Sequence, residues 1–109
     1  MRVCILSDTH GVIDDRILAE AARCYLVVHG GDIGDAGVLD ALRAACGEVV
    51  AVLGNNDVAA KWPQHQHRLL GLLPVQAHIE LPGGILAVEH GHRVNRLIVL
   101  ADLCFWYIQ

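Results

Sequence analysis

The stretch Val3-Cys4-Ile5-Leu6-Ser7-Asp8-Thr9-His10-Gly11 sets the reading of the whole chain. Its first four residues form an apolar run of strand length, which reads as a short buried strand. Turn-type residues then break the run, and a helical pattern begins near Asp14. Asp8 and His10 therefore fall where a strand opens into a loop. Two residues apart in extended backbone, their side chains leave the same face. A carboxylate beside an imidazole makes half of a divalent-metal cage. Such a triplet also arises in turns whose side chains cap local amides, so recurrence decides its meaning.

The pattern recurs. Asp14 or Asp15 caps a helix running to about Ala22, with Ile17, Leu18, Ala21 and Ala22 on one face. Tyr25-Leu26-Val27-Val28 reads as a second buried strand and ends in His29-Gly30-Gly31-Asp32. Asp35 caps the next helix, Val38, Leu39, Leu42, Ala45 and Cys46 form its apolar stripe, and Gly47 stops it. Val49 to Leu53 reads as a third strand, ending in Gly54-Asn55-Asn56-Asp57. Strand–helix alternation predicts an α/β fold with a parallel βαβαβ core. In such a sheet all carboxyl ends lie on one edge, where ligands bind. Three polar strand ends, far apart in sequence, should therefore meet in space.

The second half changes character. Trp62 to Leu73 reads as irregular to helical, and Val75 to Leu81 and Ile85 to Glu89 flank Pro82-Gly83-Gly84 as an antiparallel hairpin. The hairpin ends in Glu89-His90-Gly91-His92, a fourth ligand-bearing strand end. His65 and His67 would point to different faces of a helix and read as solvated. His78 reads as a packed or surface residue, and His29 as packed in preference to a supporting role at the Asp32 turn. The tail from Leu97 to Ile108 is apolar apart from Asp102 and too short to span a bilayer. It reads as a strand over Asp102 to Ile108, with a helix over Val94 to Phe105 as the alternative.

Composition narrows the class. The 109 residues suit a single domain, and 54% hydrophobic content suits strands buried on both faces. Net charge is -4 and the eight Lys and Arg are scattered, which argues against a nucleic-acid surface. No stretch reads as a membrane span, and a strand directly after Met1 leaves no room for a signal peptide. Cys4, Cys24, Cys46 and Cys104 are widely spaced and read as buried reduced thiols, the expectation for a cytoplasmic protein.

In combination, Asp8-x-His10, Gly31-Asp32, Gly54-Asn55-x-Asp57 and His90-Gly91-His92 resemble the calcineurin-like metallophosphoesterases, and within them the small bacterial and archaeal phosphodiesterase branch. The resemblance covers Met1 to about Asn95. It implies a sandwich of two sheets with outer helices and two divalent ions at one end. Manganese is the first expectation, with iron, zinc or nickel as alternatives. Carried over by position, Asp8 and His10 would hold the first ion, Asp32 would bridge, and Asn55 and His90 would hold the second. Asp32, Asn55 and His90 are on this basis also the catalytic candidates. The implied reaction is hydrolysis of a phosphate ester by activated water, with cations roughly 3.5–4 Å apart. His92 matches a position that is not ordinarily a ligand.

Two departures from the family pattern qualify this. Many of these phosphatases carry His where Asn56 stands, placed to protonate the leaving group, and an amide cannot act as that acid. The family also closes its site with a Gly-His-x-His motif, and none follows His92. The expectation is a chain that stops early, with a weakened site and an open sheet edge that favours a homo-oligomer. Because the fold also serves proteins that act through protein contacts, the alternative is a catalytically inactive interaction module.

Overall fold

The computed structural model of the protein describes residues 2–90, together with the backbone of 98–99 and 104–108. Strand β1, Arg2–Leu6, leads through helix α1, Asp15–Ala21, to strand β2, Leu26–His29. Helix α2, Ala36–Cys46, leads to the short strand β3, Val49–Ala51. Two 3-10 turns, Ala59–Lys61 and Gln64–Gln66, run into helix α3, His67–Leu72. The hairpin of β4, Gln76–Leu81, and β5, Gly84–Glu89, follows, and then β6, Ile98–Val99, and β7, Cys104–Ile108.

The helices start and stop where local chemistry directs. Asp14 caps α1 by accepting from Arg16 N at 2.7 Å, and Asp35 caps α2 by accepting from Gly37 N at 2.7 Å. Gly47 ends α2 with φ 89°, a conformation in which a side chain would be strained.

The first sheet has the order β3-β2-β1-β7 and is parallel throughout. The second has the order β4-β5-β6 and is antiparallel. The expected α/β architecture, a parallel βαβαβ core followed by an antiparallel hairpin, is therefore what forms. Alternation along the strands builds the layers. Cys4, Leu6 and Val27 face the helices, packing with Ala21, Val38, Leu39 and Leu42. Val3, Ile5, Leu26 and Val28 face the other way, onto Leu86 and Val88 of β5. Fully burying one such side chain stabilises the fold by about 1.5–3 kcal/mol, so both interfaces are strongly driven. Burial also pushes the Cys4 thiol up to about 12, which keeps it protonated and inert.

Three expectations need correction. The third strand stops at Ala51, because Leu53 N turns away to donate to Pro74 O at 2.8 Å. The tail is strand at 104–108, paired with β1, so the helical alternative fails at Cys104 and Phe105; its other residues, apart from Ile98 and Val99 of β6, lie outside the described ones. His67 is half-buried rather than solvated, its Nε2 3.1 Å from Trp62 O.

What matters for the site is the shared edge. Leu6, His29 and Ala51 stand in register across β1, β2 and β3. The three loops that follow them therefore leave the sheet at one level. Strand β5 ends beside them, bringing His90 from the second sheet to the same place.

Candidate metal centre

The loop after β1 lies against the loop after β2. Asp8 N donates to Gly31 O at 2.9 Å, His10 N to Asp32 O at 3.0 Å, and Gly11 N to Ile33 O at 2.7 Å. This lacing forces unusual backbone. Among the described residues, the non-glycine positions with positive φ are Asp8 at 59°, His10 at 47° and Asp32 at 54°. Left-handed backbone outside glycine costs about 1–3 kcal/mol per residue and persists where surrounding structure over-determines it. The strain falls on the three side chains whose ligand-type atoms all lie within 4.8 Å of one another.

The individual separations describe a shared focus. His10 Nε2 lies 3.9 Å from Asp8 Oδ1 and 4.0 Å from Asp32 Oδ2, and His90 Nε2 lies 3.5 Å from the same Asp32 oxygen. Ligand atoms around one small cation are spaced by about 3–4 Å, given bonds near 2.0–2.2 Å. His90 is also oriented as a ligand would be. Its Nδ1–H donates to Gly30 O at 2.8 Å, which fixes the ring with Nε2 toward Asp32. Two imidazoles and two carboxylates make a donor set suited to manganese, iron or zinc.

Asn55 stands apart. It is exposed on the loop after β3, and among the described residues its amide makes no hydrogen bond to Asp8, His10, Asp32 or His90. Its neighbours do the binding. Asn56 N donates to Asp32 Oδ1 at 2.9 Å, and Asn56 Nδ2 donates to Asp32 Oδ2 at 2.9 Å. Gly54 is needed there, because a Cβ would collide with Asp32 N and its carboxylate. Asp32 is buried, and burial alone would raise its pKa. Hydrogen bonds from Asn56 and the nearby His90 and His10 outweigh that and hold the carboxyl below its ordinary range. His92 lies outside the described residues.

Two further side chains support the site: Asp57, to which the sequence reading gave no role, and His29, which is packed as expected and also takes the supporting role placed second to packing. Asp57 is buried, and its carboxylate accepts from Gly54 N at 2.8 Å, Gly34 N at 3.1 Å, Trp62 Nε1 at 3.1 Å and Ile33 N at 3.2 Å. It thus ties the loop after β2 to the loop after β3. His29 is fully buried beneath the loop after β1. Its Nδ1 accepts from Gly31 N at 3.1 Å, so its Nε2–H donates to Thr9 Oγ1 at 3.0 Å. Thr9 Oγ1 donates in turn to Ile33 O at 2.9 Å. Burial lowers the His29 pKa to about 4, so the ring stays neutral and this tautomer is kept.

The two-sheet sandwich, with metal-type side chains on loops at the carboxyl edge of its parallel sheet, is the calcineurin-like fold. The chain belongs to the calcineurin-like phosphoesterase superfamily, whose domain model matches residues 1–103. Among solved structures it is similar to Vps29 from Entamoeba histolytica, crystallised as a single mutant, with 22% identity and a TM-score of 0.65. The match covers 87% of this chain and 51% of that one, so the chain spans about half the length of the protein it resembles. At that identity the likeness concerns fold alone. No curated protein matches the chain significantly.

Proposed function

We propose that the chain is a metal-dependent phosphoesterase of phosphodiesterase type, acting on a phosphate-ester substrate at the loop edge of its parallel sheet. The observation that carries this reading is the cluster of Asp8, His10 and Asp32, whose ligand-type atoms lie within 4.8 Å of one another, with His90 Nε2 3.5 Å from Asp32 Oδ2 beside it. The donor types and spacing of Asp8, His10 and Asp32 fit a divalent ion, and the proposed centre takes two such ions, manganese first. Asp8 and His10 would hold one, Asn55 and His90 the other, and Asp32 both. Asn55 reaches that role only by turning its exposed side chain inward. When bound, the ions supply Lewis acidity, polarising water for attack on phosphorus and neutralising charge on the phosphate oxygens.

The chain's own residues do the rest. Asn56 holds both Asp32 oxygens in place, Gly30 O holds His90, and Asp57 fixes the loops that carry them. The open pocket of about 250 Å³ beside His10 is lined by Gly34, Asn56, Asp57 and Lys61, and gives the ester a place to lie. The three described cysteines, Cys4, Cys24 and Cys46, are free, which supports a reducing, cytoplasmic setting. Among the described residues no helix is long and apolar enough to cross a membrane.

The test is hydrolysis of an activated nitrophenyl phosphodiester in excess Mn2+. Turnover that vanishes in Asp32→Ala supports the reading. Turnover that survives this substitution belongs to a contaminant, and an interaction module becomes the better description.

A further inference from the structure

A phosphoesterase must dispose of the leaving alkoxide, and an amide at Asn56 has no proton to give it. The structure places another group there. Lys61 ends the 3-10 turn Ala59–Lys61, five residues after Asn56, and its Nζ donates to Asn56 Oδ1. The other end of the same amide holds Asp32 Oδ2. The ammonium is therefore one side chain removed from the centre of the ligand cluster. It also lines the pocket that exposes His10. Among the described residues no ion pair joins it to the pocket's carboxylate, Asp57, whose two oxygens accept from four other donors. Lys61 is exposed on a flexible stem with three donors, so it can turn from Asn56 to a substrate oxygen without breaking the core.

We propose that Lys61 is the general acid of this site, acting on phosphate esters whose leaving group is a poor one. This rests on the phosphoesterase reading. The attacking water oxygen forms a new bond to phosphorus as the P–O bond to the leaving group breaks, and the electron pair of the broken bond leaves with that group's oxygen. That oxygen takes a proton from Lys61 Nζ and departs as an alcohol or phenol, and the neutral amine regains from solvent a proton equivalent to the one the attacking water sheds. Water is the one reactant consumed.

The experiment uses the whole chain in excess Mn2+ with a series of aryl methyl phosphodiesters, from nitrophenyl to unsubstituted phenyl. Lys61→Met and Lys61→Arg are compared with the parent, and Mn2+ binding is titrated in all three. A proton donor matters more as the leaving group worsens and contributes about 10²–10⁴-fold where it is needed. The expected result is a loss in kcat/KM for Lys61→Met that grows along the series, at least about 30-fold larger for phenyl than for nitrophenyl. Arginine keeps the charge but does not give up its proton, so Lys61→Arg should follow Lys61→Met. Mn2+ affinity should stay within about twofold, because Asp32 keeps its two bonds from Asn56. An equal loss across the series that Arg restores would make Lys61 a charge anchor and overturn the proposal. Weakened Mn2+ binding in both variants would make it a positioning residue and overturn it as well. Failure of the parent chain to hydrolyse even the nitrophenyl ester would overturn the phosphoesterase reading, and the acid with it.

Discussion

Asp57→Asn should cost the fold far more than one isosteric change suggests. In the parent, Oδ1 accepts from Gly34 N and Trp62 Nε1, while Oδ2 accepts from Ile33 N and Gly54 N. An Asn side chain keeps one acceptor oxygen and turns the other into an NH2 group. Two of the four donors then face a donor. The site is only 5% exposed, so water cannot take the missing role. Each unanswered buried donor costs about 1–3 kcal/mol, which sums to about 2–6 kcal/mol for the pair. Against a typical domain stability of about 5–15 kcal/mol the variant should still fold. Urea denaturation followed by circular dichroism reads the loss directly. The two positions are also coupled: Trp62→Phe removes one donor, so the two changes together should cost less than their sum. A loss under about 1 kcal/mol, the scale of a surface substitution, would show that Asp57 does not tie the loops together.

Acid should destabilise the protein through His29. Its native pKa is near 4 while the unfolded ring titrates near 6.5. The unfolded state therefore binds the proton first as pH falls, so stability is intact above about 6.5 and lost progressively down to about 4. The full loss is about 3 kcal/mol, and His29→Gln should flatten that part of a stability–pH curve measured from pH 7 to 4. A different trade appears at His10, whose φ of 47° suits glycine. Both His10→Ala and His10→Gly remove the imidazole, but only glycine relieves the backbone, so the metal-free glycine variant should be the more stable by roughly 1 kcal/mol in thermal unfolding.

The legible parts of this chain are those carried by local signals. Unbroken apolar runs at Val3–Leu6 and Leu26–Val28 showed two-sided burial, and Asp14 or Asp15, Asp35 and Gly47 marked helix ends. Asp8, His10, Asp32 and His90 were legible as candidates because each follows a strand, and the parallel topology brings strand ends together. The roles of Asn56 and Asp57 were not, because their partners at Asp32 and Ile33 lie 24 residues away and meet them only in the folded sheet. Asn56 looked like a lost acid, whereas its two bonds to Asp32 make it a holder of the bridging candidate. Left-handed backbone at Asp8, His10 and Asp32 has no sequence signature either, since it comes from hydrogen bonds between two loops rather than from glycine. The early end of β3 has the same origin, in the bond from Leu53 to Pro74.

The proposed centre makes its sharpest claim in the division of ligands between two ions, and equilibrium titration with Mn2+, followed by electron paramagnetic resonance, reads that division. The parent chain should bind two ions. Asp8→Ala and His10→Ala should each lose one, His90→Ala should lose the other, and Asp32→Ala should lose both. If Asp32→Ala keeps the parent's stoichiometry, or the parent binds no Mn2+ at all, the convergence of these side chains is not a metal centre.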